Sequence, residues 1–111
     1  MALAVRNVQI GKTIDYTNSS GSDIAYRQVI PITTRIAIAG EKIENGATGS
    51  VYVAEVWELP AVTGTAWSVG AQLYWDNTNG YLTTTSTSNT PAGWATEAKA
   101  SAAAVAKTKL G

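Results

Sequence analysis

The sequence predicts an all-β fold: a small single-domain β-barrel or jelly-roll-like sandwich with an extended N-terminal arm. Three observations predict it. Thr, Val, Ile, Tyr and Trp recur in short runs, as strands require. Gly, Pro, Asn, Asp and Ser interrupt those runs roughly every 8 to 12 residues, the spacing of a sandwich or barrel. Helical periodicity is missing until the Ala-rich tail. A chain of 111 residues suffices for one domain, and no internal repeat or flexible linker divides it. Residues 1–10 read as the arm and residues 11–111 as a single β domain.

From Lys12 to Thr17 the pattern alternates, with Thr13, Asp15 and Thr17 on one face and Ile14 and Tyr16 on the other. Asn18 to Asp23 is turn-forming in composition. Ile24 to Ile32 is apolar-rich, but Pro31 cannot donate to a ladder, so this part belongs at an edge or bend. Arg35 to Ala39 reads as a paired strand, followed by turns at Gly40 and Asn45-Gly46. The clearest run is Ser50 to Leu59, which carries apolar residues on both faces and ends at Pro60. Gly64 and Gly70 bracket a loop holding Trp67. Gln72 to Trp75 and Tyr81 to Thr85 flank Asp76-Asn77-Thr78-Asn79-Gly80, the signature of a hairpin. Ser86 to Pro91 reads as a polar loop and Gly93 to Ala98 as another strand. The stretch Glu97 to Lys107 favours helix by its Ala content, while Val105 to Leu110 alternates as a closing strand would.

Composition excludes much chemistry. Eight basic and eight acidic residues cancel, so no basic stripe for nucleic acid is present. There is no Cys and no His. Disulfides, thiolate nucleophiles and sulfur metal sites are thereby removed, and so is the usual general base. No apolar run reaches the ~20 residues of a membrane helix. The segment Ala2 to Val5 before Arg6 is too short for a signal peptide, so synthesis and folding in a cytoplasm are expected.

The remaining motifs point away from catalysis. Gly11-Lys12-Thr13 matches the end of a phosphate-binding loop, but Arg6 stands where its first Gly is required, and a strand pattern follows. Glu55 and Glu58, like Glu41 and Glu44, are spaced to point to opposite strand faces. Asp76 and Asn77 are turn formers before they are cation ligands. Ser19, Ser20 and Ser22 have no base at a suggestive spacing. No enzyme, cofactor or metal is expected.

Phe is absent, while four Trp and five Tyr are present. Such amphipathic aromatics are enriched at interfaces. Trp57, Trp67, Trp75 and Trp94, with the apolar arm residues Leu3, Val5, Val8 and Ile10, are therefore the expected partner-binding residues.

Four segments then matter together: Gly11-Lys12-Thr13-Ile14-Asp15-Tyr16-Thr17, Glu55-Val56-Trp57-Glu58-Leu59-Pro60, Leu73-Tyr74-Trp75-Asp76 and Leu82-Thr83-Thr84-Thr85. In order and spacing the chain resembles the cement, or decoration, proteins of tailed-phage capsids, from about residue 8 to the end. It departs from that pattern at Ala61, where Lys often follows the Pro, and in its Ala-rich tail. The resemblance implies a structural virion protein on the outer capsid surface, assembled in the host cytoplasm. It implies major capsid protein and further copies of the same chain as partners, in a homo-oligomer, with no nucleic acid and no membrane. The alternative is a glycan- or host-surface-binding head appendage, which clustered exposed Trp rings would favour.

Overall fold

The computed structural model describes residues 11–110. Nine strands run β1 (Thr13–Thr17), β2 (Val29–Ile32), β3 (Arg35–Ala39), β4 (Thr48–Tyr52), β5 (Glu55–Pro60), β6 (Gln72–Asp76), β7 (Tyr81–Thr83), β8 (Thr90–Ala95) and β9 (Val105–Leu110). They form two antiparallel sheets, ordered β1-β4-β3-β2 and β5-β9-β8-β6-β7. The architecture is sandwich-like, and neither sheet closes into a barrel. The arm expected over residues 1–10 lies outside the described residues.

The sheets meet where β3 packs on β8. Ile36 and Ile38 point into a core with Leu73, Trp75, Ala92, Ala95 and Leu110 of the five-stranded sheet. Ala37 and Ala39 point the other way, into a second core with Ile24, Ile30, Ile43 and Val51. This is the period-two alternation of a strand with no solvent face. The second core is covered by loops, tied together by paired backbone bonds between Ile24 and Ile43.

Two expectations are corrected here. Ser50 to Leu59 is not one strand. Glu55 adopts φ 79°, outside the β region, and the chain passes there from β4 in one sheet to β5 in the other. The apolar residues on both sides of the run reflect this change of sheet. Val51 fills the second core and Leu59 the first. The strand expected at Gly93–Ala98 instead begins at Thr90, and Pro91 pairs with Tyr74. Pro91 is tolerated because β9 joins β8 only at Trp94 and Ala95, beyond the proline. Pro31 does lie on an edge strand, β2, and the tail ends as strand β9.

A β-bulge shapes β8. Gln72 pairs with Trp94 and Tyr74 with Pro91, so Ala92 and Gly93 together face the single residue Leu73. Gly93 takes φ 89°, and a Cβ built on it would lie 1.9 Å from the Lys109 carbonyl oxygen. Only glycine permits both the conformation and the approach. The buried Thr108 hydroxyl fastens the bulge by donating to the Ala92 carbonyl at 2.6 Å.

Two buried polar side chains hold loops where a disulfide-free chain has no covalent staple. Asn18, with no exposed surface, donates to the Ser22 and Ile43 carbonyls at 2.7 and 2.9 Å. Its Oδ1 accepts from the Ser20 backbone N–H and hydroxyl. Lys99 is buried, and among the described residues no carboxylate pairs with it. Its Nζ donates to the carbonyls of Thr65 at 2.6 Å and Ala100 at 3.0 Å, and stands 4.9 Å from the Trp67 ring centroid. Paired backbone bonds between Trp67 and Lys99 complete this clamp.

In the β6–β7 hairpin the Asp76 carboxylate accepts backbone N–H bonds from Thr78 and Asn79, and a third bond from the Asn79 amide. These bonds, the Asn79 side chain first, hold its pKa below the ordinary 3.8. The fold therefore favours the ionised form. The stabilisation is present above the unfolded-state pKa and is lost as pH falls through the lowered folded value.

Two predictions follow from these features. Gly93→Ala should cost about 3 kcal/mol or more in urea denaturation, from backbone strain plus the carbonyl clash. Gly70→Ala, whose Cβ meets nothing within 4 Å despite φ 89°, should cost only about 1–2 kcal/mol. In an NMR titration the Asp76 carboxyl should show a midpoint below 3.8, and in Asn79→Ala that midpoint should rise.

Candidate partner-binding surface

The four tryptophans do not assemble into one platform. Trp67 and Trp75 are buried in the first core. The Trp75 indole N–H donates to Asn77 Oδ1 at 3.2 Å. Trp57 is half-buried, donates to the Ala54 carbonyl at 2.9 Å and packs on Tyr52 with ring centroids 5.0 Å apart. Trp94 alone of the four is largely open, at 42% exposure. Leu3, Val5, Val8 and Ile10 lie outside the described residues.

The bulge explains why Trp94 faces outward. Ala92 and Ala95 are both buried, and strict alternation between them would turn Trp94 inward with Ala92. The extra residue at Gly93 resets the phase, so Trp94 joins the outer face. Register then places Val56, Lys109, Trp94 and Gln72 in one cross-strand row over β5, β9, β8 and β6. Val56 is half exposed, so this row offers aliphatic and aromatic surface beside a basic residue.

Trp94 also lines a cleft of about 360 Å³. Ile14, Ile32 and Ile36 come to it from the four-stranded sheet, Pro91 and Leu110 from the five-stranded one. Arg35 and Lys109 line it too, and no Asp or Glu does. The cleft is thus apolar with basic groups.

A second surface feature was not foreseen from the sequence. The Arg27 guanidinium lies 4.9 Å from the Tyr26 ring centroid, 5.1 Å from Trp57 and 5.9 Å from Tyr52. Its backbone is held at φ 68° by donating to the Ala39 carbonyl at 2.9 Å. The only sequence signal was Tyr26 beside Arg27. Tyr52 and Trp57 arrive from two other elements.

Two of the carboxylates weighed for chemistry, Glu41 and Asp76, bind backbone N–H groups, and a further one, Glu97, forms an ion pair. Glu41 accepts from the Ser50 backbone N–H, Glu97 pairs with Lys107 at 3.2 Å, and Asp76 caps its turn. Among the described residues no group of three or more acidic side chains is arranged to hold a metal ion. Gly11-Lys12-Thr13 leads into strand β1, where a phosphate loop needs a helix. Asn18, in a glycosylation-like triplet, is sealed in the interior. No helix among the described residues is long and apolar enough to cross a membrane.

The burial pattern sets an expectation for the tryptophans. Trp75→Ala should cost about 3–5 kcal/mol in urea denaturation, as a large core truncation does. Trp94→Ala should change stability by less than about 1 kcal/mol.

No curated protein and no solved structure is detectably similar to the chain. A family model described as phage cement protein matches residues 8–110, nearly the whole length. The chain therefore belongs to the phage cement protein family, structural proteins of the phage capsid.

Proposed function

We propose that this protein binds the outer surface of a tailed-phage capsid and stabilises the shell by bridging major capsid protein subunits. The family match over residues 8–110 carries this reading. The physical features support it. Zero net charge leaves little self-repulsion to oppose dense decoration. Trp94, Val56 and the apolar cleft supply contact area on a fold whose own core is already filled.

The mechanism is mass action. A protein that binds the assembled shell and not its free subunits shifts the equilibrium toward the shell. Interfaces of about 800 Å² per partner, repeated over the lattice, add up against the outward push of packaged DNA. Each copy meets major capsid protein and a further copy of itself, since closed homo-oligomers are the common solution. The segment Ala2 to Ile10, with Leu3, Val5, Val8 and Ile10, is the reach toward a neighbour. The protein is made in the host cytoplasm and acts on the virion without a catalytic step.

The test is reconstitution. Purified protein added to undecorated shells should co-sediment in a fixed ratio and raise the temperature at which the shells come apart. Trp94→Ala, expected to lose less than about 1 kcal/mol of stability, should need a higher concentration to saturate. Protein that remains wholly in the supernatant would end this reading.

A further inference from the structure

We infer that Arg27, seated on Tyr26, Tyr52 and Trp57, is the anchor that grips a carboxylate on the shell surface. This rests on the shell-binding reading above and names the chemistry of one contact.

The geometry is that of a fork held ready. The guanidinium carbon sits within 6 Å of three ring centroids, at 4.9, 5.1 and 5.9 Å, so the rings limit its motion. Tyr52 and Trp57 brace each other at 5.0 Å, and the indole is fixed by its bond to the Ala54 carbonyl. Among the described residues no carboxylate pairs with Arg27, and its side chain donates to no acceptor. A planar guanidinium with free N–H groups matches a carboxylate bidentately.

The backbone supports the same assignment. Arg27 is held at φ 68° and Glu55, two residues before Trp57, at φ 79°. Such conformations cost energy in non-glycine residues, and the backbone bond from Arg27 to the Ala39 carbonyl holds the first of them in place. Tyr26, at 58% exposure, gives the fork an open aromatic rim. Tyr, Trp and Arg are the residue types that dominate binding energy at protein interfaces.

The experiment uses the reconstitution assay with wild type, Arg27→Ala and Arg27→Lys. Arg27→Ala should raise the half-saturating concentration about 10- to 100-fold. Arg27→Lys keeps the charge but loses the fork, so it should fall between. The wild-type advantage over Arg27→Ala should shrink as NaCl rises. Thermal midpoints of the free proteins identify any variant unfolded at the assay temperature. If Arg27→Ala is unfolded, the wild-type to Arg27→Lys ratio decides. Wild type that binds while the folded variants bind equally well overturns the anchor and leaves the cement reading standing. Wild type that fails to bind overturns the cement reading itself. If sedimentation of free protein shows that Arg27→Ala breaks self-association while shell binding per copy is unchanged, the carboxylate belongs to a second copy and the assignment falls.

Discussion

The fold depends on β3 having no solvent face. Its odd and even positions feed different cores: Ile36 and Ile38 face β8, and Ala37 and Ala39 face the loops carrying Ile24 and Ile43. The small alanines let those loops come close, while the isoleucines fill the wider gap between sheets. A domain of this length has little apolar surface to spare. One central strand serving two cores makes the most of it. The two cores are coupled as a result, because any shift of β3 disturbs both.

Much of this was legible in the sequence. Alternation at Thr13–Thr17, the loop between Trp75 and Tyr81, and Pro31 at an edge all express local backbone rules, and local rules are readable from sequence. The break at Glu55 was not. A run with apolar residues on both sides looks the same whether one strand is buried twice or two strands are each buried once. The shift in β8 was hidden for a similar reason, since a bulge inserts one residue without changing composition. The burial of Lys99 and Asn18 was not legible, because their partners are backbone carbonyls, which no side-chain pattern reports. The tryptophans divided by burial along lines that tertiary packing alone sets. Trp75 points inward with its strand's core face, and Trp94 points outward because Gly93 lies before it.

The features open to solvent share some residues with those that hold the fold: Ile36 and Leu110 line the cleft and belong to the first core, and Tyr52 and Trp57 pack against that core. The interior relies on aliphatic and indole packing, on hydrogen bonds at Asn18 and Thr108, and on the Lys99 clamp. The exterior carries the outward row around Trp94, the cleft between the sheets, and Arg27 on its aromatic seat.

The Lys99 clamp has a consequence for where such a protein can survive. Most buried lysines are neutralised by Asp or Glu, and acid dissolves those pairs by protonating the carboxylate. Here the acceptors are amide oxygens at Thr65 and Ala100, joined by an indole face. None of these takes up a proton in mildly or moderately acidic water. The tie between the two loops is therefore indifferent to acidification, a durable fastening for a particle that must persist outside any buffered cell.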